Sequence, residues 1–124
     1  MNVSALAQSA YAPSAAGVQS PRETEYKVIA RATGAIVAAQ KAESPTMMAR
    51  ALVDNTRLWM ALAADVAEPD NALPQSLRKG IAELAVFTFK HTHKVFSGEA
   101  KADVLVEINQ AIMKGLRANA ADKQ

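Results

Sequence analysis

The stretch that decides the fold is DNTRLWMALAADVAEPDNALPQSLR, Asp54 to Arg78. Asn55, Leu58, Trp59, Leu62 and Val66 recur at the three-and-four spacing of one helix face, and the pattern stops at Pro69. Proline in a helix interior loses a backbone donor and clashes with the preceding turn, at about 3 kcal/mol, so the helix must end there. Asp70, Asn71 and Ala72 supply turn chemistry, and Leu73 with Pro74 opens a second apolar pattern that begins at Leu77. The stretch therefore joins two amphipathic helices through a short link, the geometry of antiparallel neighbours. Asn71 is expected to bond the turn backbone, and Pro74 to set how the two helices meet.

Upstream, Ser44 as cap and Pro45 at the first helical position start the same helix, and Met48, Ala51 and Leu52 complete its stripe. Asn55 is the one strongly polar member of that stripe. A buried amide needs partners, so the preferred reading is that it bonds a carbonyl or another side chain and fixes helix register, with partner contact as the alternative. Trp59, the only tryptophan, reads as core before exposed anchor, because large aromatics at helical spacing usually pack.

Further upstream, Ser20, Pro21 and Glu23 form a capping-box start. Tyr26, Ile29, Thr33, Ile36, Val37 and Gln40 follow as one face, and Gly34 within it suggests the close approach of a neighbouring helix. Downstream of the opening stretch, Leu77, Ile81, Leu84, Ala85, Thr88, His91 and Val95 form a third stripe flanked by Phe87, Phe89 and Phe96, with Gly98 as its stop. A fourth pattern begins near Ala102 and runs through Leu105, Ile108, Asn109, Ile112, Met113 and Leu116, with Gly115 expected to tighten its end. No alternating strand pattern occurs. The expectation is an all-α fold: a small four-helix up-down bundle over residues 20–118, with a flexible N-terminal arm over 1–19 and a frayed tail over 119–124. The first twenty residues carry no charge and hold scattered apolar anchors at Val3, Leu6, Tyr11 and Val18, so the arm is suited to docking on something.

Composition narrows the function. The chain has 124 residues, half of them apolar, which suffices for one modest core. Its net charge is +2, with Lys and Arg interspersed among Asp and Glu, which argues against a dense nucleic-acid surface. There is no cysteine, no secretory leader pattern and no run long enough to span a bilayer, so a cytoplasmic protein is expected. His91 and His93 are the only histidines and project about 200° apart on a helix, which precludes both gripping one metal ion. His91 reads as a hydrogen-bonded boundary residue and His93 as solvated. No P-loop, dinucleotide glycine fingerprint, nucleophile elbow or His-Glu-x-x-His helix is present, so neither enzymatic activity nor a cofactor nor a metal is expected.

One resemblance covers nearly the whole chain. Ala10-Tyr11, Ser20-Pro21-Arg22-x-x-Glu25, Asn55-x-x-Leu58-Trp59, Asn71-x-Leu73-Pro74-x-x-Leu77-Arg78 and Leu105-Val106-Glu107-Ile108-Asn109-x-x-Ile112-Met113-x-Gly115-Leu116 occur in an order that resembles the flagellar biosynthesis regulator family FlaF. Val106 and Glu107 stand where Ile and Asp are more typical, a conservative departure. The resemblance implies a small, non-enzymatic accessory factor of flagellum assembly that supports flagellin synthesis and export. The expected mechanism is chaperone-like binding of flagellin in an apolar groove between helices, with the uncharged arm as placeholder or clamp. Val3, Leu6, Tyr11, Leu58, Trp59, Phe87 and Phe89 are the candidate partner-contact residues; Asn55, Asn71, Pro74 and Asn109 are the candidate structural ones. The alternative is a post-transcriptional regulator acting on flagellin mRNA, directly or with a companion such as FlbT. Direct RNA binding is disfavoured because the sequence shows no dense basic patch with an aromatic platform. A scaffold that only self-associates is the third class.

Overall fold

The computed structural model describes residues 21–122, with side chains over 23–118. The arm and the Ser20 cap lie outside the described residues. Four helices follow one another: α1 (Pro21–Ala42), α2 (Pro45–Ala67), α3 (Gln75–Phe96) and α4 (Asp103–Asp122). They form a ring in which α1 lies beside α2 and α4, and α3 lies beside α2 and, less closely, α4. Across the diagonals, no described Cα atoms of α2 and α4, or of α1 and α3, come within 8 Å. The α1–α4 pair is pinned at both ends: Gln40 Nε2 donates to Asp103 Oδ1 at 2.7 Å, and the Arg117 guanidinium lies 4.1 Å from the Tyr26 ring centroid. These two contacts make the pair antiparallel and complete the up-down order. Among the described residues no helix is long and apolar enough to cross a membrane.

The short connections work because each helix end is satisfied locally. Ser44 Oγ accepts from the Met47 amide at 3.1 Å and caps α2 as its sequence predicts. The preceding α1 ends in a Schellman turn, with Glu43 N–H donating to Gln40 O and Ser44 N–H to Ala39 O. The left-handed residue of that turn is Glu43, at φ 51°, where glycine is the unstrained choice. The same turn ends α3, where Gly98 holds φ 80° and Gly98 N–H and Glu99 N–H donate to Val95 O and Lys94 O. At the end of α2, Arg78 donates from Nε and Nη2 to Val66 O, and from Nη2 to Glu68 O. Asn71 Nδ2 donates to Asp65 O, while its Oδ1 accepts from Leu73 N–H in an Asx turn. A guanidinium on the terminal carbonyls of a helix also complements its dipole. Asn71 and Pro74 therefore take the turn-setting places expected of them, Pro74 standing immediately before α3 at φ −55°.

The core divides into two apolar clusters. The larger gathers Ile29, Leu58, Trp59, Leu62, Val66, Leu73, Ile81, Ala85, Ile108, Ile112 and Leu116, and the smaller holds Ile36, Ala51, Leu52, Ala102 and Leu105. Between them each helix contributes a buried polar residue: Thr33, Asn55, Thr88 and Asn109. Three sequence expectations need correction. Tyr26, Val37 and Gln40 are only half-buried, and Glu25 and Ala39 are buried in α1 instead, because the core-facing stripe runs Glu25, Ile29, Thr33, Ile36 and Ala39 at three-and-four spacing and leaves Gln40 at the helix edge, where it meets Asp103. Gly34 is exposed, with nothing within 4 Å of where a Cβ would stand, so it marks no close approach. That role belongs to Gly115, where a Cβ would stand 3.4 Å from Leu77 Cδ1, and α4 continues past it to Asp122 without ending.

These backbone facts set the sign of three substitutions, read by chemical denaturation. Gly34→Ala should stabilise by about 1 kcal/mol, since it removes helix-interior glycine from open surface. Glu43→Gly should stabilise by about 0.5–1 kcal/mol, the left-handed strain relieved less the entropy that glycine adds to the unfolded chain. Gly98→Ala should destabilise by about 1 kcal/mol or more. A destabilised Glu43→Gly variant would contradict the strain assigned to this turn.

Candidate partner-binding surface

Several residues named from sequence as partner contacts prove to be interior. Trp59 is fully buried and Leu58 is 3% exposed, so neither presents a surface to a partner, and both are corrected to packing roles. Their burial follows from the hydrogen bonds around them. Trp59 Nε1–H donates to Asn109 Oδ1 at 2.8 Å, and Asn109 Nδ2 donates to Asn55 Oδ1 at 2.8 Å. An indole N–H excluded from water needs an acceptor, and Asn109 supplies it from the diagonal helix. Asn55 thus bonds another side chain, as expected of it, and the two amides are positioned to oppose a change of helix register. Val3, Leu6 and Tyr11 lie outside the described residues. Phe89 is half-buried and packs against the larger core cluster, while Phe87 is exposed.

The surface that remains apolar is carried by two adjacent helices. Among the described residues the exposed large hydrophobics are Met47, Val53, Met60, Val86, Phe87 and Phe96, all on α2 and α3. A groove of about 310 Å³ runs between the C-terminal part of α2 and the start of α3, lined by Ala63, Val66, Ala67, Gln75, Arg78, Lys79 and Ala82. Met60 stands one turn before Ala63, and Val86 one turn after Ala82, so in these antiparallel helices both continue the groove walls. Met60 is 59% and Val86 54% exposed, which leaves most of each side chain free to be covered. Val66 is the buried member of the lining, flanked by the small side chains of Ala63, Ala67 and Ala82, with Gln75, Arg78 and Lys79 as its polar members, a shape that accepts the ridge of another helix. Of the exposed large hydrophobics sequence reading singled out only Phe87 and Phe96. Val53 and Met60 carried a legible signal, being seven apart and off the α2 core stripe.

The other faces differ in chemistry. The α1–α4 groove, about 640 Å³, is lined by Tyr26, Glu107, Gln110, Ala111, Met113, Lys114 and Arg117, a mixed-charge surface with Arg117 already engaged on Tyr26. On α3, His91 stacks on Phe87 with ring centroids 5.5 Å apart, and its Nε2–H donates to Lys101 O at 2.8 Å, tying the helix to the following turn. His93 is exposed. Among the described residues no group of three His, Asp or Glu side chains is placed to hold a metal ion.

The Asn109 network makes a quantitative expectation. Asn109→Ala strands the Trp59 N–H and the Asn55 carbonyl, each at about 1–3 kcal/mol, and should lower unfolding free energy accordingly. In a double-mutant cycle with Trp59→Phe, urea unfolding should return a coupling of about 0.5–3 kcal/mol. Additive losses would show that the diagonal hydrogen bond contributes nothing.

Comparison with known proteins places this architecture. A family model described as flagellar protein FlaF matches residues 7–116. No match was found among curated proteins or among solved structures. The matched span contains the Asn55-x-x-Leu58-Trp59 and Asn71-x-Leu73-Pro74-x-x-Leu77-Arg78 motifs, whose polar members the structure uses for the diagonal hydrogen bonds and the α2 cap. On this match, which spans most of its length, the chain belongs to the flagellar protein FlaF family.

Proposed function

We propose that this flagellar protein is a non-enzymatic, cytoplasmic accessory factor that binds flagellin and acts on it in a chaperone-like way, supporting its synthesis and export. The observation that carries the reading is that, among the described residues, exposed large apolar side chains are confined to α2 and α3, on a chain of the FlaF family. A binder of an aggregation-prone helix needs a preformed apolar trough with a polar rim. Val66 with Ala63, Ala67 and Ala82 in the lining, the exposed Met60 and Val86 one turn beyond it, and Gln75, Arg78 and Lys79 as polar members have that chemistry. Phe96 lies farther along α3, on the same side of the helix as Ala82. Burial of such area drives association without any covalent step, in keeping with a role in holding a client.

Calorimetry with monomeric flagellin tests this directly. The full-length protein should bind with a negative heat-capacity change, the mark of apolar burial. Met60→Glu combined with Val86→Glu should weaken binding by about tenfold or more, about 1.4 kcal/mol, because a charge would have to be desolvated in the trough. Lys114→Ala, on the α1–α4 groove, should leave affinity unchanged. No binding by the unmodified protein would remove the reading.

A further inference from the structure

We propose that residues 7–20 of the same chain cover the α2–α3 trough when no client is present, so that the protein carries its own competitor for the surface. The inference rests on the reading of that trough as the client site and adds its regulation. Four observations converge on it. The trough is mainly apolar, with Gln75, Arg78 and Lys79 as its polar members, and is uncovered by any of residues 23–118, Met60 and Val86 beside it each being more than half exposed. The first twenty residues contain no charged side chain, so they can be laid on an apolar surface without desolvating an ion. Within them Tyr11 and Val18 are large apolar anchors, with Leu6 just upstream. The family match begins at residue 7, well before the first helix of the bundle at Pro21, so the pattern that defines the family includes this segment.

Position and reach agree with the chemistry. Antiparallel packing puts the start of α1 at the same end of the bundle as the close of α2 and the opening of α3, which is where the trough begins. A second helix axis lies about 8–10 Å away, and fourteen residues span up to about 46–50 Å when extended. The α3 helix is only about 33 Å long, so the segment has length to run along any part of the face. Tethering supplies it at high effective concentration, so weak contacts suffice to hold it until a client of higher affinity displaces it. Client binding is then opposed by the fraction of molecules in which the trough is already filled.

Because the chain has no cysteine, a single introduced one places a nitroxide at a chosen point on the full-length protein. A nitroxide on Ala82→Cys, in the trough, should broaden the amide signals of residues 7–20 in the absence of flagellin. The same label on Ala111→Cys, in the α1–α4 groove beside Tyr26 and so near the Pro21 tether, should broaden only the amides closest to residue 20 and spare that of Tyr11. Adding Met60→Glu and Val86→Glu to the Ala82→Cys protein should restore the signals, with the core amide shifts unchanged as the check on folding. Broadening that survives those substitutions is tether proximity alone and overturns the proposal, as does its absence from Ala82→Cys. Broadening in a mixture of isotope-labelled unmodified protein with unlabelled nitroxide protein assigns the trough to a second copy, which also overturns it. No flagellin enters this experiment, so its failure leaves the client reading standing. Conversely, an arm that docks while flagellin fails to bind overturns only the client reading.

Discussion

Asn109 holds the bundle in one arrangement. It accepts from Trp59 and donates to Asn55, and both partners lie on the helix diagonal to its own. Neighbouring helices in a bundle can slide by a turn while keeping apolar contact, because leucine packs on leucine in several registers. Two hydrogen bonds of 2.8 Å across the diagonal do not tolerate that slide: a shift of one turn, about 5.4 Å, strands an indole N–H and two amide groups out of reach of water. Breaking that network is more costly than never having built it, so its effect is on uniqueness of the fold more than on total stability. The other polar fastenings, Arg78 on the α2 carbonyls and Gln40 on Asp103, act at the bundle ends and restrict the same motion.

Much of this was legible in the sequence, and the limits are physical. The stripes Leu58, Trp59, Leu62, Val66 and Leu105, Ile108, Ile112, Leu116 follow helical periodicity, which is a local property, and all these side chains are buried. The Ser44 cap and the Gly98 stop are likewise local chemistry. The partner of Asn55 was not legible, because Asn109 is 54 residues away and the pairing depends on which helices end up diagonal. Gly34 and Gly115 look alike in a linear reading, and only the fold tells which one faces a neighbour. Arg78 reads as one more surface cation until the end of α2 is brought beside it. Glu43 in a left-handed turn carries no glycine signal at all. The candidate partner surface was half legible: Phe87 stood out by type, whereas Met60 and Val86 are candidates only by where their helices put them.

The division of labour among the faces follows from this construction. Trp59 and Leu58, the most conspicuous apolar pair in the chain, are consumed by the core, so in the proposed role recognition falls to ordinary residues on the outside of α2 and α3. Their value lies in arrangement: small alanines between larger apolar side chains along two rigid helices whose register is fixed from within. A surface carried on rigid elements presents the same shape to each client, which lowers the ordering entropy of binding. The α1–α4 face, with Glu107, Lys114 and Arg117, stays hydrated and keeps the molecule from offering apolar area on all sides.

The polar layer of Thr33, Asn55, Thr88 and Asn109 also partitions the molecule mechanically. On one side of it lie eleven core residues that include Trp59; on the other lie five, two of them alanines. Apolar contacts do not run continuously from one end of the bundle to the other, so the two ends need not open together. The smaller cluster holds the α1–α2 turn, with its strained Glu43, and the start of α4. That end is the cheaper one to open, and its amides should be the first to exchange with solvent under native conditions. The trough between α2 and α3 begins at the opposite end, on the larger cluster, so a client would dock on the part of the protein that breathes least.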